Sequence, residues 1–152
     1  EQRATVHDAS KMLDDEFFGF ARINAAARVH KFGSPEYAAG MKTERSTIET
    51  HFKRNRHHPE RGTLLAKGTQ AHPDAGPLER DAAYHAILEA HSMTFLDVIE
   101  MVCDWHGARK GYDSDMSWKD SVALNFKQKG AYLSEEQRWL AKEVAKFLEP
   151  FA

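Results

Sequence analysis

Thr94-Phe95-Leu96-Asp97-Val98-Ile99-Glu100-Met101-Val102-Cys103-Asp104-Trp105 is the stretch on which the fold turns. A threonine followed three residues later by an aspartate has the form of a capping box, a helix start in which side chain and backbone satisfy each other. Phe95, Leu96, Val98, Ile99, Met101 and Val102 then make the helix apolar over most of its circumference. Asp97, Glu100 and Asp104 recur at spacings of three and four and form its one carboxylate stripe. Such a helix belongs at the centre of a bundle, with the stripe aimed at a site. The plainer alternative is that the stripe is its solvated face.

Working outward, Ser117 to Asp120 and Ser134 to Gln137 repeat the capping signature, the second ahead of Leu140, Val144, Phe147 and Leu148. Upstream, a short helix is expected from about Leu78 to His91. Gly62, Gly68, Pro73, Gly76 and Pro77 punctuate a stretch without periodicity that reads as loop. Ser34-Pro35 opens an earlier helix whose stripe is Tyr37, Met41, Ile48 and Phe52 and which Pro59 ends. The first helix follows His7-Asp8, carries Leu13, Phe17, Phe20, Asn24 and Ala27 on one face, and stops at Gly33. No segment alternates with period two long enough for a strand. The expectation is an all-α fold over residues 1–152, one bundle of about five to seven helices, with residues 62–92 as an insertion or lid.

Hydrophobic residues at 41% and charged residues at 29% are ordinary for a soluble globular chain of this length. A net charge of -2 gives no global reason to expect nucleic acid or an anionic membrane as partner. No apolar run approaches the length of a membrane span, and nothing at the N-terminus reads as a signal peptide. Cys103 is the only cysteine, which excludes an intrachain disulfide and favours a reducing, cytoplasmic setting. Glu1 to Thr5 read as the tail of a helix begun further upstream.

The chain has nine histidines, and their placement carries more than their number. His7 and Asp8 are neighbours at a helix junction. There the backbone can turn enough for imidazole and carboxylate to meet one cation of the Zn, Fe, Mn or Co kind. A lone His-Asp pair is more often a capping histidine beside a solvated aspartate. This pair has company: on a continuous helix His51 and His58, seven residues apart, share nearly one face, at the edge of the apolar stripe with Asn55 between them. His57 points the other way unless Pro59 unwinds the last turn. Lys11, one turn after Asp8, is placed to neutralise a phosphate oxygen. Lys53, Arg54 and Arg56 add positive charge beside the histidines, which suits an anionic substrate, although such a cluster is usually just wet surface.

Together, His7-Asp8-Ala9-Ser10-Lys11, Gly33-Ser34-Pro35-Glu36-Tyr37, His51, Asn55-Arg56-His57-His58-Pro59-Glu60 and Glu100-Met101-Val102-Cys103-Asp104-Trp105 resemble a bacterial and phage group within the HD superfamily of metal-dependent phosphohydrolases. The resemblance runs through most of Thr5 to Gly130. It implies a helical HD domain in which His7, Asp8 and Asp104 bind a metal, and His51, His57 and His58 stand where the binuclear branch has its extra histidines. One or two divalent ions are then expected, Fe, Mn, Zn, Co or Ni, with Mg also admissible. Asp8 would bridge them, a metal-activated hydroxide would attack phosphorus with Lys11 assisting, and Arg54 and Arg56 would help hold the substrate.

Two departures shape the expectation. HD proteins usually take another histidine ligand from a helix before the pair, and only six residues precede His7. The Gly-Tyr-Pro loop of the HD-GYP phosphodiesterases is absent, so cyclic dinucleotides are not the expected substrate. The implied activity is hydrolysis of a small phosphate ester, a nucleotide among the candidates. HD-type diiron oxygenases and a non-enzymatic helical metal-binding module are the alternatives. Residues 62–92, longer than the family usually has, would serve as a lid or a homodimer contact.

Overall fold

The computed structural model describes residues 6–30, 34–68, 77–111 and 115–152; among them every regular element is helical. Contacts divide the chain into two compact units, residues 1–55 and 56–152, and each is described by itself.

In the first unit a 3-10 turn, Ala9–Met12, leads into α1 (Asp14–Val29), followed by α2 (Pro35–Thr43) and α3 (Arg45–Arg54). Asp14, Asp15 and Glu16 fill the first turn of α1, where negative charge complements the helix dipole. The 3-10 turn, α2 and α3 all pack on α1. The face α1 buries is Glu16, Gly19 and Ile23. That corrects the expected stripe, for Leu13, Phe17 and Asn24 are exposed. The physical reason is close approach. A Cβ on Gly19 would lie 2.2 Å from Thr47 Oγ1, so only glycine lets α1 settle this near α3.

Ser34 caps α2 as expected, its hydroxyl accepting from Tyr37 N at 3.1 Å with Pro35 at the first helical position. The single helix expected from Ser34 to Pro59 is instead two. The chain breaks at Glu44 (φ -95°, ψ 21°), whose nearly buried carboxylate takes Arg22 Nε and Nη2 at 2.6 and 2.8 Å. A long-range ion pair thus interrupts a run that local propensity would continue. α3 stops at Arg54, because the Asn55 side chain donates to the His51 carbonyl at 2.9 Å and Asn55 turns extended. His57 and His58 therefore lie beyond the helix, and the shared face proposed for His51 and His58 does not exist. The expected cap at Gly33, and the helical tail expected at Glu1 to Thr5, fall outside the described residues.

The second unit comprises α4 (Arg61–Gly68), α5 (Pro77–Ala90), α6 (Phe95–Gly111), α7 (Trp118–Lys129) and α8 (Glu135–Leu148). α4 corrects the loop expected from Gly62 onward. Leu64 N donates to the Glu60 carbonyl at 3.0 Å, Ala66 is buried, and α4 packs on α5, with the Cβ position of Gly62 3.5 Å from Leu88. Flanking glycines conceal five residues, Thr63 to Lys67, that include strong helix formers. Residues 69–76, with Pro73 and Gly76, lie outside the described residues.

α6 carries the core: Val98, Met101, Val102 and Trp105 are buried together with Trp118, Leu133, Ala141 and Ala145. Alanines at 141 and 145 let α8 lie close against α6, and Trp118 Nε1 donates to the Ala145 carbonyl at 2.8 Å. Each fully buried Val or Met side chain here contributes roughly 1.5–3 kcal/mol. All three capping signatures form, and at α8 both halves are present: Gln137 N to Ser134 Oγ at 3.2 Å and Ser134 N to Gln137 Oε1 at 2.9 Å. Ser134→Ala is expected to cost about 1 kcal/mol, read as a lower urea midpoint; an unchanged midpoint would show the box is idle. No helix among the described residues is long and apolar enough to cross a membrane.

Candidate metal centre

In the first unit the site is built around Asp8 and His51. Asp8 sits at φ 56°, the left-handed region, so the turn into Ala9–Met12 aims its carboxylate back at the helices. Its Oδ2 accepts a hydrogen bond from Lys11 Nζ and lies 3.5 Å from His7 Nε2. Its Oδ1 lies 3.1 Å from His51 Nε2. Burial pushes the Asp8 carboxyl up, but hydrogen bonds from His51 and Lys11, with their charges, outweigh this and hold it well below the usual carboxylate range. Lys11 also lies over the Phe20 ring, 5.0 Å from its centroid.

His51, 2% exposed, has Glu16, 0% exposed, behind it: Nδ1 to Oε2 is 2.8 Å. Ser10 Oγ donates to the same oxygen at 2.9 Å and accepts from Asn55 Nδ2 at 2.8 Å. The other oxygen, Oε1, accepts from Arg54 Nη1 at 2.7 Å. Arg54 is also held by Asp15 through both oxygens, at 2.8 and 2.6 Å. The sequence reading set Arg54 toward substrate; its guanidinium is instead engaged by two carboxylates of α1.

In the second unit His57 and His58 are buried just after the start of the chain segment, their ring centroids 4.2 Å apart. His57 Nδ1 is 3.7 Å from Glu100 Oε1 of α6. The ligand atoms of His57 come within 4.8 Å of those of His58 and of Asp104. The carboxylate stripe of α6 thus divides its work. Asp97, fully buried, accepts from Thr94 N and Oγ1 at 2.8 and 2.7 Å and faces Arg56 Nε at 3.4 Å, so it is a cap and an anchor for Arg56. Glu100 and Asp104, one and two turns on, face the histidines.

The family model described as "Family of unknown function (DUF5662)" matches residues 1–152. The chain belongs to this family. No curated protein and no solved structure gives a significant match.

In this DUF5662 chain, buried and half-buried histidine and aspartate residues that belong to possible metal-holding groups occur in each unit: His7, Asp8 and His51 in the first, His57, His58 and Asp104 in the second. The donor chemistry fits a divalent transition metal. Imidazole nitrogen and carboxylate oxygen suit Zn, Fe, Mn, Co or Ni. A carboxylate has no proton to give, so the bond to Glu16 puts the Nδ1 hydrogen on His51 and leaves Nε2 toward Asp8. Two electron-rich atoms 3.1 Å apart then need a proton or a cation between them. That separation is also what two ligands each about 2.1 Å from one ion show at an angle of roughly 95°. Sequence reasoning missed Glu16 in this DUF5662 chain. It sits in an acidic first turn that a helix dipole already explains, and its only signal is its place one turn before Gly19 and two before Ile23.

Proposed function

We propose that the chain is a metal-dependent phosphohydrolase of HD type, acting on a small phosphate ester, with a nucleotide the first substrate to try. In this reading His7, Asp8 and His51 of the first unit hold a divalent transition-metal ion, and His57, His58 and Asp104 of the second are the candidate ligands there. The observation that carries it is the buried His51 between two carboxylates, its Nε2 3.1 Å from Asp8. A strained left-handed aspartate at that spot supports it, since such backbone tends to be kept where it serves a site.

A bound divalent ion supplies a Lewis acid and an acidified water as nucleophile. Asp8 keeps its negative charge for ligation. Lys11, partly exposed beside Asp8, has its ammonium within reach of a phosphate oxygen and stabilises the charge that builds there. Arg56, about half exposed, is the cation that the second unit offers to an anionic substrate, while Arg54 stays with Asp15 and Glu16 and braces α3 against α1. A cytoplasmic setting accompanies this proposal.

Metal analysis of the purified chain, followed by hydrolysis assays on phosphomonoesters, phosphodiesters and nucleotides with and without added metal, tests the reading. Absence of bound transition metal would sink it. Bound iron with an oxygen-dependent activity would move the chain to the HD-type oxygenases, and tight metal without turnover would leave a binding module. Lys11→Ala is expected to keep its metal and lose turnover by about 100-fold or more; wild-type rates in that variant would remove its role.

A further inference from the structure

We infer that Glu16 is the positioning residue of this centre: it fixes His51 so that Nδ1 keeps the proton and Nε2 is the ligand atom. The inference rests on the metal reading above and adds a residue to it. A fully buried carboxylate is costly, and α1 places one on the face it shares with Ile23, where an apolar side chain would pack at no such cost. Anchoring Arg54 does not account for it, because Asp15 already takes that guanidinium with both oxygens. Glu16 divides its own oxygens, Oε1 to Arg54 and Oε2 to His51 and Ser10.

The neighbours of Nδ1 agree on the proton's place. Asn55 Nδ2 is 3.0 Å from it, but that amide donates to Ser10 Oγ at 2.8 Å and to the His51 carbonyl at 2.9 Å. Ser10 spends its hydrogen on Glu16. Glu16 therefore receives both the imidazole and the hydroxyl proton, and the ring cannot turn over without breaking the network. An anionic acceptor behind the ring also makes Nε2 a stronger donor to a metal.

The test uses the full chain and zinc, which is diamagnetic. Nitrogen-15 spectra of the zinc-loaded wild type should show His51 protonated at Nδ1 and metal-shifted at Nε2; zinc on Nδ1 would overturn the inference. Glu16→Gln should weaken zinc binding by roughly 10- to 100-fold in a chelator competition with the helical circular dichroism retained. Asp15→Asn, which removes only the other partner of Arg54, should leave zinc affinity unchanged. Equal zinc affinity in Glu16→Gln and the wild type would also overturn the inference while leaving the metal centre standing. No zinc on the wild type would strike the proposed function itself. Should Glu16→Gln fail to fold, the wild-type spectrum decides alone.

Discussion

Asp8→Asn is expected to strip the metal from the first unit, lowering affinity by more than about 100-fold, beyond the loss typical of residues that only support a ligand. Asparagine is the informative replacement because the position has φ 56°. Asparagine and aspartate visit that region more readily than other side-chain-bearing residues, whereas alanine there adds about 1–2 kcal/mol of backbone strain. Asp8→Ala would thus mix a folding defect with a ligand defect. Asp8→Asn keeps the shape and removes only the anion that the Lys11 ammonium helps hold in its charged form. With the anion gone, the Lys11 ammonium remains as an uncompensated cation beside any incoming ion, so the loss exceeds that of one ligand bond. Metal content of the dialysed protein and a chelator competition measure it. Wild-type stoichiometry and affinity in Asp8→Asn would refute the centre.

The parts of this molecule legible in its sequence are those fixed by neighbours within one or two turns. The caps at Ser34, Thr94, Ser117 and Ser134 follow from hydroxyl-to-backbone geometry three residues on, and each forms. Half of the apolar run of α6 likewise becomes the core, Val98, Met101 and Val102, while Phe95, Leu96 and Ile99 stay exposed. What escaped was set at long range. The break at Glu44 depends on Arg22, and nothing near Glu44 announces it. The end of α3 at Arg54 undid the argument that put His51 and His58 on one face, yet both are buried.

Periodicity also weighs bulk, and so it chose the wrong face of α1. The face that matters there is marked by what is missing at Gly19 and by the charge of Glu16, neither of which adds to a hydrophobic stripe. Asp97 illustrates the reverse error: it belongs to the carboxylate stripe of α6 by spacing, but Thr94 and Arg56 occupy it.

Gly19→Ala carries the second large effect, and its sign opposes local propensity. In an exposed helix interior, alanine for glycine gains about 1 kcal/mol. Here the added Cβ would stand 2.2, 2.5 and 2.7 Å from Oγ1, Cγ2 and Cβ of Thr47, closer than real contacts come. Threonine is branched at Cβ and has little rotamer freedom in a helix, so the strain passes to the backbones and α1 must part from α3. Overpacking of this kind costs about 1–3 kcal/mol, which cancels the propensity gain and leaves the first unit less stable. The site moves with it. Glu16 lies one turn before Gly19 on α1 and His51 one turn after Thr47 on α3, so parting the helices stretches the 2.8 Å bond between them. Zinc affinity should therefore fall together with the unfolding midpoint. Adding Thr47→Gly moves the glycine to the other helix and reopens the space, so the double variant should recover much of both losses, a coupling of about 0.5–3 kcal/mol in a double-mutant cycle. Strictly additive losses would show that the crossing of α1 and α3 does not set the distance from Glu16 to His51.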